Sequence, residues 1–229
     1  MNETAYLEPT AVIQSDHPRI TGLVKELTAG IAGSVRKAVE LFYFVRDSIW
    51  YDPYRPFHRA EFYRATRVLK DRRGYCVSKA VLLCAMARAA GIPARLAFAD
   101  VRNHLATRQL LEHMGTDRFV YHGYNQLWLN GRWVAATATF NRELCARHGV
   151  DPLDFDGRHD AVFQPFNRDR RWFMEYIRYH GSFADLPLDR ILAAWNEAYG
   201  KERVARWIRW HDEAGGGSIR DFFKEDVAD

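Results

Sequence analysis

Apolar residues recur at helical spacing between Val35 and Trp50, where Ala38, Val39, Leu41, Phe42, Phe44, Val45, Ile49 and Trp50 mark one face of a strongly amphipathic helix. Tyr51-Asp52-Pro53 closes it as a turn. Upstream, Ser15-Asp16-His17-Pro18 reads as a cap followed by a first-turn proline, predicting a helix over 18–28 that Gly30 and Gly33 end. Residues 54–71 show no clear period. After Arg72-Arg73-Gly74-Tyr75-Cys76 comes an alanine-rich stretch, Val77 to Ala90, stopped by Gly91-Ile92-Pro93. Glycine then proline is a strong helix stop, so Cys76 falls at or beside the N-terminus of a buried helix. Strands are predicted at 94–101, 119–129 and 132–139, and Asn130-Gly131 joins the last two as a hairpin turn. Helices first and an antiparallel sheet afterwards make the chain α+β. Past Asn141 the pattern weakens. Residues 150–171, rich in Asp, Pro, Gly and Phe, read as an ordered loop, and helices are predicted at 188–199 and 202–214, the second stopped by Gly215-Gly216-Gly217.

Composition narrows the functional classes. The chain has 229 residues, a length that suits one domain. With 48% hydrophobic and 27% charged residues it carries enough apolar surface to fold unaided. The net charge of +4 comes from arginines scattered among acids rather than massed in a stripe, which argues against a nucleic-acid partner. No segment approaches the ~18–20 apolar residues of a membrane span, and residues 1–16 do not read as a secretory leader, so no membrane partner and a cytoplasmic location are expected. Cys76, Cys84 and Cys145 form an odd set without CxxC spacing, against a disulfide framework or a zinc site. His58, His104, His113, His148, His159, His180 and His211 show no HExxH spacing and read as surface or loop residues, while Asp154 to Asp160 lacks the ligand order of a calcium loop. No metal is expected.

What chemistry remains centres on one thiol. A cysteine attacks only as thiolate, and a free thiol near pKa ~8.5 is mostly protonated at neutral pH. Unpaired N–H groups at a helix start lower that pKa, and a nearby imidazole completes the activation. Cys76 has the first by position, Gly74 permits a tight entry to the helix, and the Cys76 amide is placed to serve an oxyanion. The second candidate is His122, inside the strand 119–129. Strict alternation puts His122, Tyr124, Gln126 and Trp128 on one face and Tyr121, Gly123, Asn125, Leu127 and Leu129 on the other. Gly123 leaves space for a close neighbour, and a Cys76 helix lying on the His122 face would bring thiol and imidazole together. Cys84, two turns into the helix, reads as core, and Cys145 sits in a polar context without an evident base. Trp128 and Trp133 read as sheet or hairpin residues, and Trp195, Trp207 and Trp210 as the docking surface of the last two helices.

The run RRGYCVSKAVLLCAMARAAGIPARL resembles the signature of the transglutaminase-like superfamily, in which Gly-X-Cys opens a buried helix ending in GIPAR. YHGYNQLWLNGRWVAATATF is similar to that family's histidine strand, turn and Trp-Val strand, and the helix ending in Ile49-Trp50-Tyr51-Asp52 to its opening helix. The resemblance spans about 33–141, with 142–229 as a C-terminal helical extension of the same domain. It implies a papain-like α+β core, helices on an antiparallel sheet. It also implies a cofactor-free reaction in which Cys76 takes the acyl group of a peptide, protein or small amide substrate and His122 is the base. Where the family usually places an aspartate, four residues beyond the strand tryptophan, this chain has Thr137, whose hydroxyl can hold an imidazole but brings no charge. Asp100, Asp156 and Asp160 are the acids from elsewhere available to fill that position. Hydrolysis or small-molecule acyl transfer is one reading, and a non-catalytic binding or scaffolding module is the other.

Overall fold

The helix predicted after Cys76 is the hub of the fold. In the computed structural model, which describes residues 3–104, 106–167, 169–214 and 221–225, it spans Cys76–Ala89. Every side chain from Val77 to Arg88 is buried, so its apolar character runs all round, as a helix enclosed by other elements requires. Before it come α1 (Pro18–Leu27), α2 (Ser34–Ser48), α3 (Ala65–Asp71) and two short strands, β1 (Trp50–Tyr51) and β2 (Arg73–Gly74), which pair in parallel. The central helix is α4. Helices α1, α2 and α3 all lie against it. The third of these occupies part of the stretch without sequence period, because seven residues are too few to show one.

A four-stranded antiparallel sheet follows, with spatial order β5-β4-β3-β6, built from β3 (Ala94–Asn103), β4 (Arg118–Leu129), β5 (Arg132–Ala136) and β6 (Met174–Phe183). The Asn130-Gly131 hairpin holds, both residues having the positive φ (50° and 80°) such turns demand. Beyond β3, α5 (Arg108–Met114), α6 (Arg142–Arg147) and β6 are not evident in the sequence pattern. The extension after 141 is therefore not only helical. It supplies an edge strand as well as α7 (Leu188–Tyr199) and α8 (Lys201–Glu213). The glycines predicted to stop α8 lie outside the described residues.

The main core lies between α4 and one sheet face, where Leu96, Phe98, Leu127 and Val134 meet Val81 and Leu82. Each such side chain contributes about 1.5–3 kcal/mol by leaving water. The opposite face, with Ala97, Ala99, Tyr124 and Ala135, is covered by Val150, Phe163 and Phe173 of the long loop. Among the described residues of 150–171 there is no helix or named strand, which fits the reading of this segment as a loop.

One polar hub ties α2 to the sheet. Asn141, fully buried, donates to the carbonyls of Arg46 (2.6 Å) and Ile49 (2.9 Å) and accepts from the Tyr51 amide (2.7 Å). Lys79 on α4 donates to the same two carbonyls at 3.0 and 2.6 Å. Burial pulls its ammonium pKa down to about 7.

Candidate active site

Cys76 is the first residue of α4, entered from Tyr75 in extended conformation with no side-chain cap. The N–H groups of a helix start normally seek a capping oxygen, and α4 has no side-chain cap. The amides of Cys76, Val77 and, from across the interface, Gly123 lie where they favour the thiolate of Cys76. A Cβ at Gly74, just upstream, would stand 2.5 Å from Ser78 Oγ and force it away from the Tyr75 carbonyl it bonds at 3.0 Å.

Gly123 fixes how closely helix and strand approach. A Cβ at this position would lie 2.9 Å from Val77 Cα and 3.3 Å from Val77 N, so only glycine lets the first turn of α4 rest on β4. Asn125, two residues on, donates to the Ala80 carbonyl at 2.9 Å. The helix thus lies on the Gly123, Asn125 and Leu127 face, not on the His122 face as the alternation argument supposed. His122 points to the other side, its ring 5.4 Å from Phe163. Cys76 and His122 nevertheless line one cavity, of about 50 Å³, because the cysteine is at the tip of α4 and reaches the strand edge beside Gly123.

A β-bulge prepares this junction. Between the pairs Ala99↔His122 and Val101↔Phe119, the single residue Asp100 opposes both Val120 and Tyr121, and Tyr121 adopts φ 58°. Asp100, 4% exposed, accepts the Tyr121 amide at 3.1 Å and pairs with His180 at 2.6 Å, while the His180 ring stacks on Tyr121 at 4.1 Å. His180 is therefore not a free loop residue. Nor are His113, stacked on Trp207 at 4.8 Å, and His211, buried at 3% exposure. Alternation gives no warning of a bulge, which is why the Asp100–His180 pair is invisible in the sequence.

Electrostatics reverse the expected activation. Cys76 is half-buried, and burial pushes its thiol up to about 11, the three amides opposing this without overcoming it. Burial alone pulls His122 down to about 4. The resting pair is a neutral thiol and a neutral imidazole. Cys145 is likewise not in the polar context expected of it, being 2% exposed among apolar side chains with its thiol raised to about 12. Cys84 is core as predicted.

Thr137 follows β5 and is 1% exposed. Neither its Oγ1 nor His122 Nε2 makes a hydrogen bond, so the threonine does not hold the imidazole in this structure. The Tyr176 hydroxyl lies near enough to sense Thr137 electrostatically without a well-formed bond. The three acids considered as substitutes are engaged elsewhere: Asp100 with His180, Asp160 with the Ala135 amide (2.8 Å), and Asp156 with its own exposed turn and His159.

Elements from outside the resemblance complete the cavity. Trp195 of α7 donates to the Val120 carbonyl at 2.9 Å, and the Tyr199 hydroxyl accepts the Val120 amide at 2.7 Å. Both side chains line the cavity opposite Tyr51 and Tyr75. Docking of the last helices by aromatic residues thus also builds the roof over Cys76.

The family model of the transglutaminase-like superfamily matches residues 21–138. The chain belongs to that superfamily. Comparison with curated protein sequences yields no match. Among solved structures, a cysteine protease candidate from Cytophaga hutchinsonii shares 21% identity at TM-score 0.47, over 60% of this chain and 42% of that one. A protease candidate from Parabacteroides distasonis ATCC 8503 shares 18% identity at TM-score 0.42, over 62% of this chain and 27% of that one. The chain therefore spans less than half the length of either. The superfamily match covers α1 through β5 and leaves β6, α7 and α8, and with them His180, Trp195 and Tyr199, as this chain's own setting for the site. Among the described residues no helix is long and apolar enough to cross a membrane, and no cluster of His, Cys, Asp and Glu could hold a metal ion.

Proposed function

We propose that this superfamily member is a thiol hydrolase or acyltransferase acting on an amide or peptide bond. The observation that carries the reading is the single cavity lined by both Cys76, at the start of α4, and His122. Substrate attack begins with His122 taking the thiol proton as Sγ bonds to the carbonyl carbon. The oxyanion formed is met by the Cys76 amide at the start of α4. The protonated His122 then gives its proton to the leaving nitrogen, the C–N bond breaks, and a thioester on Cys76 remains. Water or an acyl acceptor, deprotonated by His122, releases the acyl group and restores the thiol. Thr137 Oγ1, its rotor uncommitted, takes up the Nε2–H of the imidazolium during the cycle.

Burial raises the thiol to about 11 and lowers the imidazole to about 4, so both groups are neutral before substrate arrives. The closed site is thus a resting one, and catalysis needs water or substrate to repolarise it. The same neutrality, with no charged third residue, favours the second reading, a binding module that has kept the fold without turnover. Incubation with cell extract or amide substrates followed by mass spectrometry tests the choice. An acyl adduct on Cys76, absent in Cys76→Ala and strongly reduced in His122→Ala, is the expected result, and a thiol that never acquires an adduct supports the binding module instead.

A further inference from the structure

The described C-terminal residues 221–225 are anchored at three points in a groove beside the active site. Phe222, 5% exposed, sets its ring 5.4 Å from that of Tyr51 and 6.2 Å from that of Tyr54. Phe223 meets Trp50 at 5.2 Å and lies under the Arg147 guanidinium at 5.5 Å. Glu225 is 6% exposed, and its carboxylate accepts from the Tyr54 hydroxyl at 2.9 and 3.1 Å and from Thr107 Oγ1 at 2.6 Å. A buried carboxylate is costly unless held, so these two hydroxyl donors form a built site for it rather than a chance contact.

The groove and the cavity share walls. Tyr51, Leu110, Met114 and Phe119 line the Cys76 cavity and also belong to the cluster around Phe222. One side-chain layer separates the Phe222 ring from the space above the thiol. That space, about 50 Å³, has room for a handful of waters at the ~10–15 Å³ each requires, and not for an acyl group with its flanking backbone. Movement of this shared wall would widen the cavity for an acyl donor, and Phe222 packs against the wall's far side.

Building on the function proposed above, we propose that the groove holding Phe222 and Glu225 recognises peptides and is occupied in cis by the chain's own C-terminal segment, which keeps the Cys76 cavity closed. Peptides that displace it carry the same chemistry: an aromatic side chain for the Tyr51–Tyr54 slot and, three residues on, a carboxylate for Tyr54 and Thr107. Bound there, such a peptide takes over the bracing of the shared wall while bringing a chain to the edge of the cavity.

The test is the rate at which iodoacetamide alkylates Cys76 in the full chain, read by peptide mapping, with Cys84, buried within α4, as internal monitor of unfolding. The double variant Phe222→Ala/Glu225→Gln is expected to label at Cys76 about tenfold faster, the shift one lost charged hydrogen bond produces in an opening equilibrium. The free peptide Asp-Phe-Phe-Lys-Glu is expected to slow that labelling again, and a scrambled peptide is not. If Cys84 also becomes reactive, Glu225→Gln alone, which keeps the side-chain shape, carries the same two readouts. Labelling that is unchanged on release, or that the peptide does not slow, overturns the proposal. Alkylation reports access to the thiol and not turnover, so a chain without activity can still pass this test and an active enzyme can fail it.

Discussion

Gly123→Ala probes the contact on which the whole site depends. The added methyl would stand 2.9 Å from Val77 Cα, 3.2 Å from Val77 Cγ2 and 3.3 Å from Val77 N. Carbon atoms rest at about 3.5–4.0 Å, so α4 and β4 must separate by roughly 0.6–1 Å at this point. Two of the three obstructing atoms are backbone of the first helical turn, so no rotamer change relieves them. Overpacking of this kind costs about 1–3 kcal/mol, which at ~2–4 °C per kcal/mol for a chain of this size lowers the melting temperature by about 2–12 °C. The functional effect is larger than the thermal one. The Gly123 amide is one of three that favour the Cys76 thiolate, and a displacement of ~1 Å at reacting groups costs about 10²-fold in rate. The assay pairs differential scanning calorimetry with turnover or, failing a substrate, with adduct formation on Cys76. Gly22→Ala is the control, because its Cβ meets nothing within 4 Å and it sits within α1, where alanine gains about 0.5–1 kcal/mol over glycine. Gly123→Ala melting with the wild type and forming adducts at the wild-type rate would refute the close approach described here.

Asn141→Ala removes the donor to Arg46 and Ile49 and the acceptor for the Tyr51 amide; a loss of about 2–4 kcal/mol is expected in urea unfolding, with slower Cys76 chemistry because Tyr51 lines its cavity. His122 is held at about 4 in the fold against ~6.5 unfolded, so between those values the unfolded chain binds the extra proton. Stability from this residue is complete above about pH 6.5 and is lost as pH falls toward 4, by at most about 3 kcal/mol. His122→Gln should flatten that part of the stability profile, and an unchanged slope counts against a buried neutral imidazole. Thr137→Val is expected to leave stability within ~1 kcal/mol, as Oγ1 makes no hydrogen bond, but to lower kcat about 2–10-fold at constant KM if the hydroxyl receives the imidazolium proton. An unaltered kcat removes Thr137 from the mechanism.

The sequence by itself determined the parts whose signals are local. Helical periodicity gave α2, glycine and proline gave the end of α4, Asn130-Gly131 gave the hairpin, and the run around Cys76 gave the family. Each depends on residues within a few positions of one another, and such interactions survive translation into almost any tertiary setting. Short elements such as α3, α5 and α6 escaped because one or two turns are too brief for a period to stand out. The edge strand β6 carries exposed Ile177 and Tyr179 that blur its alternation.

Only the tertiary structure decided which face of β4 meets the helix, what charge state the thiol adopts and what surrounds it. Local reasoning set Cys76 at a helix start and inferred an activated thiol. The three-dimensional enclosure by Tyr51, Tyr75, Trp195 and Tyr199 strips away water, and desolvation, which depends on everything within several ångströms, outweighs three amides. In the same way a bulge opposite Asp100, set by pairing between strands far apart in sequence, turns Tyr121 and assigns the acid to His180 instead of His122. The candidate nucleophile was legible in the sequence; its poise is a property of the packed whole, because burial is summed over neighbours that no single stretch of chain contains.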